Sequence, residues 1–243
     1  MKDKMTRNFC ITGALLILFF MWTMVVSIAD VQPIGPNESE VGLAAMNGWF
    51  HHLTGKSLAL YELTDYLSVL PLAIVGVFGL VGVIQLIKRK SLAQVDSDII
   101  ALGAFYLIVL ACYGFFEVVV INYRPILIDG SLEASYPSST TLLSMAVFPT
   151  AALQVNRRLR SKALRAVLIA LLLAFTVFMV ATRLISGVHW LSDIIGGLLL
   201  SSALIMGYVT MLSRFDQKDE EKKQERSRAL HDAMDRALSP DNF

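Results

Sequence analysis

Cysteine is scarce: the 243-residue chain has two. Cys10 and Cys112 both fall inside apolar runs, where a thiol behaves as a small hydrophobe, so neither a disulfide nor a thiolate metal centre is expected. No metal-ligand spacing is present, nor a Walker-type phosphate loop, nor the glycine fingerprint of a dinucleotide-binding turn. An excess of charge is missing too. Lys and Arg number 21 against 20 Asp and Glu, a formal net charge of +1, which gives no hint of a nucleic-acid partner. What the chain has in quantity is hydrophobicity. Apolar residues make up 55% and the mean hydropathy is +0.60, too high for an ordinary soluble domain. Several uninterrupted apolar runs reach membrane-spanning length.

Six spans are expected, over about residues 9–29, 63–87, 99–121, 141–155, 166–182 and 190–212. The fourth is short and carries Pro149, which predicts a kink. The connecting segments alternate in charge. Lys2, Lys4 and Arg7, then Lys88, Arg89 and Lys90, then Arg157, Arg158, Arg160, Lys162 and Arg165 fall on one side. Only Lys56, Arg124 and Arg183 fall on the other. Eleven basic residues against three predict, by the positive-inside rule, that both termini are cytoplasmic. Arg124 and the stretch from Arg183 to His189 are then extracytoplasmic.

The first apolar run follows a basic start, and Ser27-Ile28-Ala29 loosely fits a cleavage site. At 21 residues it exceeds the usual signal-peptide core, so an uncleaved span is expected. The first outer connection opens with Pro33, Gly35 and Pro36 as turn residues, and Trp49, Phe50 and Leu53 predict a short interfacial helix. His51 and His52 within it read as surface histidines or as functional ones. Two parts are expected: a six-span membrane domain over 1–212 and a charged cytoplasmic tail over 213–243. From residue 214 the tail holds seven basic and eight acidic residues, as a solvated, partly helical extension would.

Chemistry concentrates in two outer loops. One runs from Arg183 to Asp193 at the edge of a span, where charge is expensive and marks function by default. His189 and Asp193 are four residues apart and share a helix face. A carboxylate that holds one imidazole nitrogen leaves the other free to attack or to take a proton. Arg183 offers a rigid fork suited to phosphate oxygens. The other loop carries Arg124-Pro125 and then Tyr136-Pro137-Ser138-Ser139-Thr140-Thr141. Proline followed by small hydroxyl residues starts a helix, and the exposed amides of such a start bind anions. Each residue also has a plain structural use: the arginines as interface anchors, His189 as an interfacial histidine, Asp193 and Ser138 as caps.

On these residues the chain resembles the type 2 phosphatidic acid phosphatase superfamily. Its third motif is Ser-Arg, five residues, His, three residues, Asp. Arg183, His189 and Asp193 match it in full spacing, with Thr182 in place of the serine. Arg124-Pro125 matches the end of the first motif and Pro137-Ser138 the start of the second. The resemblance covers about residues 99–211. It implies an all-α polytopic fold and a phosphatase acting on a lipid phosphate without a metal or other cofactor. His189 is then the nucleophile and Asp193 its orienting partner. Arg124, Arg183, Ser138 and the Ser139 amide would hold phosphate.

Two positions depart from the pattern. Glu117 stands where the family has lysine, and Thr140 where it has the histidine that protonates the leaving oxygen. Threonine does not titrate near neutrality. Losing a general acid slows catalysis by about 10²–10⁴-fold, less for a good leaving group. Tyr136, Glu133 or a protonated Glu117 would be substitutes; a Glu117 paired with Arg124 or Arg183 would instead be structural. The reading is thus a bacterial cytoplasmic-membrane enzyme, facing outward, that hydrolyses a lipid phosphate or polyprenyl diphosphate through a phosphohistidine. The alternative is a protein of the same fold that binds or transports a phosphate lipid without turnover.

Overall fold

In hydrocarbon each backbone amide must be paired within its own segment, so an isolated apolar run becomes a helix. The computed structural model describes residues 2–237, and among them the regular structure is helical, with three isolated antiparallel bridges and no strand. The helices are α1 (Lys2–Ile28), α2 (Ala44–Thr54), α3 (Leu58–Leu67), α4 (Val69–Arg89), α5 (Ser97–Val118), α6 (Ser139–Arg158), α7 (Lys162–Ile185) and α8 (Leu191–Ala237). Among the described residues five stretches are long and apolar enough to cross a membrane: Met5–Ile28, Leu58–Arg89, Ser97–Val118, Lys162–Ile185 and Leu191–His231. The chain is a multi-pass membrane protein.

The expected fourth span is the exception. It forms α6, a helix of 20 residues that runs through Pro149 without a break. Twelve of the 20 are buried, because α6 packs against α7 and α8 with α4 and α5 beside it. Its polar side chains find partners inside the protein. Gln154 Nε2 donates to the Tyr208 hydroxyl at 2.6 Å, and Thr150 meets Tyr106 at 3.3 Å. A helix wrapped by protein has no need of an apolar surface. Hydropathy therefore supports five spans, with α6 as an interior helix of comparable length.

Other boundaries moved. The expected span 63–87 is two helices, α3 and α4, meeting at Ser68. Arg183, placed by the sequence in a loop, lies in the last turn of α7. α8 continues past residue 212 as one helix to Ala237. The short helix expected around Trp49 forms as α2, with Trp49 and Leu53 exposed and Asn47 turned into the protein.

The core lies where α1, α5, α6 and α8 meet, around Phe19, Leu102, Phe105, Leu142, Val147 and Leu200. At one end of the bundle a charge network ties the helices. Arg158 bonds Asp96 at 3.0 Å and Asp98 at 2.6 Å, while Arg157 grips Asp216 of α8 at 2.7 Å. Burial alone would raise the Asp96 pKa, but hydrogen bonds from Arg89, Arg158 and Gln85 prevail and hold it at about 2. The opposite end carries the candidate site.

Candidate functional site

The C-terminal ends of α5 and α7, the N-terminal ends of α6 and α8, and the segment 119–138 converge at that end. The loop between α7 and α8 presents His189. Its turn needs Gly187: the residue sits at φ 67°, and a Cβ there would lie 1.9 Å from the Gly55 carbonyl oxygen. Ser57 N donates to Ser186 O at 2.9 Å, and His51 Nε2 lies 3.2 Å from Gly187 O. His51 thus braces the loop from behind rather than standing on a free surface, and burial lowers its pKa.

His189 is 3% exposed and Asp193 fully buried. Ser135 Oγ lies 2.5 Å from Asp193 Oδ2 and 3.0 Å from His189 Nδ1. The carboxylate also accepts from Trp190 N at 2.9 Å and from Asn122 Nδ2 at 3.2 Å, with Ser192 Oγ at 3.4 Å. Behind it Asn47 donates to Ser192 Oγ at 2.9 Å and accepts from Ser192 N at 3.0 Å. A buried carboxylate held by this many donors is fixed in place. Asp193 therefore caps the start of α8, with Oδ2 3.9 Å from His189 Nδ1. Burial first, then the charges of Arg124 and Arg183, keep His189 well below its ordinary pKa, so the ring is neutral at pH 7.

Arg124 Nη1 stands 3.4 Å from His189 Nε2. Its Nε is 3.0 Å from Glu133 Oε2, close enough for an ion pair but without hydrogen-bond alignment. Arg183 is 1% exposed; its Nη1 donates to Thr64 Oγ1 at 2.9 Å, and Asp65 is 3.8 Å from Nη2. Arg183 Nε is buried with no hydrogen-bond partner among the described residues. The Tyr61 ring lies under both guanidiniums, 4.8 Å from Arg183 and 5.8 Å from Arg124. Both arginines line a cavity of about 490 Å³, together with Glu117, Glu133, Asp65, Ser139 and Thr140.

The structure sorts the remaining predicted residues. Ser139 and Thr140 face the cavity at the start of α6. Ser138 is fully buried and its oxygen caps α6, accepting from Thr141 N at 3.4 Å. Tyr136 is buried, bonded through its hydroxyl to Thr23 at 2.7 Å, and burial raises its pKa. Glu117 lines the cavity, but the carboxylates that reach the arginines are Glu133 and Asp65. Sequence reasoning missed Asn47, Tyr61, Asn122, Ser135 and Ser192. Among the described residues no group of three or more His, Cys, Asp or Glu is placed to hold a metal.

A profile of the PAP2 superfamily matches residues 101–217, which span the site from α5 to α8. The chain belongs to the PAP2 superfamily. The fold agrees. It is similar to the crystal structure of a transmembrane PAP2-type phosphatidylglycerolphosphate phosphatase from Bacillus subtilis. The two share 17% identity over 85% of this chain and 96% of that one, with a TM-score of 0.54. No curated protein matches the chain. Within this PAP2 protein the two asparagines depend on Gly42. Its amide donates to Asn122 Oδ1 and its carbonyl accepts from Asn47. A Cβ on Gly42 would fall 1.5 Å from the Val26 carbonyl oxygen of α1. Gly42→Ala is expected to lower stability by about 3 kcal/mol. A thermal midpoint in detergent equal to that of the parent would remove this role.

Proposed function

We propose that this PAP2 protein is a lipid phosphatase in which His189 Nε2 attacks the phosphorus of a lipid phosphate. The observation that carries the reading is a neutral, buried imidazole 3.4 Å from Arg124, which with Arg183 lines a cavity of about 490 Å³. In the first step the P–Nε2 bond forms and the P–O bond to the lipid breaks. In the second, water takes the phosphoryl group from nitrogen and inorganic phosphate leaves. Splitting one hydrolysis into two transfers is what a nucleophilic side chain contributes. Arg124 and Arg183 compensate the charge on the phosphoryl oxygens, and the Ser139 amide at the start of α6 adds a donor. Asp193 stabilises the ring as it becomes cationic. Ser138 contributes by fixing the start of α6.

Thr140 lines the cavity and supplies no proton at neutral pH. A leaving group that needs little protonation suits such a site, which favours a polyprenyl diphosphate over a simple phosphate monoester. Thr140 also favours the second reading, a phosphate-lipid binding or transport protein without turnover. The charge asymmetry of the connections supports six spans, cytoplasmic termini and a site on the extracytoplasmic face of the membrane. Residues 1–212 then form the membrane domain and the remainder a cytoplasmic tail.

The test is phosphate release by the purified protein in lipid, offered phosphatidate, phosphatidylglycerol phosphate and undecaprenyl diphosphate in parallel. Release is expected, fastest from the diphosphate. Binding of a lipid phosphate with no release from any of the three would replace the phosphatase reading with the binding one.

A further inference from the structure

The two residues expected to act as a pair do not touch. The nearest approach of His189 to Asp193, Nδ1 to Oδ2, is 3.9 Å, beyond a hydrogen bond. Ser135 Oγ fills the gap, 3.0 Å from the ring and 2.5 Å from the carboxylate. The proton directions follow from which groups can only give and which can only accept. The Ser135 carbonyl oxygen, 3.1 Å from Nδ1, only accepts. The Arg124 guanidinium, 3.4 Å from Nε2, only donates. A neutral ring that satisfies both carries its proton on Nδ1 and its lone pair on Nε2. The Ser135 hydroxyl then has one place to send its own hydrogen, the Asp193 carboxylate.

We propose that Ser135 is the positioning residue through which Asp193 acts on His189. This rests on His189 being the nucleophile. The hydroxyl donates to the carboxylate and accepts from Nδ1–H, while its own backbone carbonyl takes a share of the same proton. The ring is thereby locked with Nε2 toward the arginines. As Nε2 bonds to phosphorus the ring becomes cationic, and the hydroxyl, polarised by the carboxylate, stabilises that charge. Ser135 is itself fixed. Its amide donates to the Asn122 carbonyl at 2.9 Å, and Asn122 also binds Asp193. No water is needed to bridge the pair, because the serine is 2% exposed and occupies the place a water would take.

The experiment compares Ser135→Ala, Ser135→Thr, Asp193→Asn and the Ser135→Ala/Asp193→Asn double variant of the full-length protein in lipid. Loss of a residue that orients a functional side chain lowers activity by about 10–100-fold. Ser135→Ala is expected to lose that much in kcat with KM within about threefold of the parent. Ser135→Thr keeps an Oγ and should recover most of the loss. The double variant should be no slower than the slower single variant, because both changes break one connection. A Ser135→Ala protein with the parent kcat, or losses that multiply in the double variant, would overturn the proposal.

A second arm needs no turnover and stands if the phosphatase reading falls. In protein with ¹⁵N-labelled histidine, the His189 resonance is the one of four that disappears in His189→Gln. It should report a protonated Nδ1. Asp193→Asn should shift that Nδ1–H signal when Ser135 is present and leave it in place in the Ser135→Ala background. A shift of equal size in both backgrounds, or a proton on Nε2, would mean that Ser135 does not connect the pair. If Ser135→Ala does not fold, Ser135→Thr against Asp193→Asn in the same spectra decides.

Discussion

His189→Gln is expected to release no phosphate above background from a lipid phosphate that the parent hydrolyses, a loss of at least about 10⁴-fold. Glutamine fits the space and can still accept from Arg124 and donate to the Ser135 carbonyl, so the buried partners stay satisfied. It cannot form the bond to phosphorus. Binding of the lipid should survive, which separates a lost nucleophile from a lost fold. The variant also has a signature in stability. In the folded parent the ring stays neutral well below 6.5, whereas an unfolded histidine takes a proton near 6.5. The unfolded state therefore binds more protons as pH falls below 6.5, and the parent loses stability there. His189→Gln removes that titration, so its thermal midpoint should fall less between pH 6.5 and 5 than that of the parent. Turnover by a variant lacking His189 would end the proposed mechanism.

The membrane-spanning helices were legible because lipid leaves a strong mark on composition. α1, α5, α7 and the first half of α8 each emerged as an apolar run of spanning length, off by a few residues at the ends. α6 was misjudged in length for the opposite reason. The sequence suggested 15 residues, 141–155, and the helix has 20. The residues beyond that run are Ser139 and Thr140, which face the cavity, and Asn156, Arg157 and Arg158, so hydropathy stops reporting where the helix continues. The division between α3 and α4 at Ser68 was invisible too, since the apolar run crosses it unbroken. Past residue 212 the helix persists on mostly charged and polar residues, with pairs such as Lys223 and Glu220 at 3.0 Å.

The site was half legible. Arg124, Arg183, His189 and Asp193 stood out because charge beside hydrocarbon is rare, and the fold gathers all four. Ser135, Asn122 and Ser192 carry no such contrast. A serine or asparagine in a loop is ordinary in sequence, and its use depends on partners far along the chain. Asn47 meets Ser192 from 145 residues away, and Ser135 meets Asp193 from 58. Glu117 illustrates the same limit. Its position offers a pairing with an arginine, but it is Glu133, whose backbone carbonyl accepts from Arg124 N at 3.1 Å, that reaches the Arg124 guanidinium at 3.0 Å. The sequence offers Ser138 as a phosphate ligand and Tyr136 as one substitute proton donor; Ser138 Oγ caps α6, and Tyr136 is a buried ring against Gly196 of α8.

Arg124→Ala should reduce kcat/KM by about 10²–10³-fold, the usual effect of removing one preorganised donor from a developing oxyanion. Of the two arginines Arg124 is the one to test. Arg183 is held by Thr64 and wedged on Tyr61, so its removal would disturb α3 and α7 as well as the site. Arg124→Lys should restore little, because an ammonium cannot span two phosphoryl oxygens as a planar fork does. The two changes differ in their effect on pH dependence. Arg124 is the largest charge depressing the His189 pKa, second only to burial. In Arg124→Ala the ring becomes easier to protonate, so the acid limb of the rate profile should move to higher pH. Arg124→Lys keeps a positive charge nearby and should leave the limb near its original place while remaining slow. An Arg124→Ala protein with an unmoved acid limb would show that the arginine acts on the phosphate alone. One with full activity would show that the cavity lined by Arg124 is not where phosphate binds.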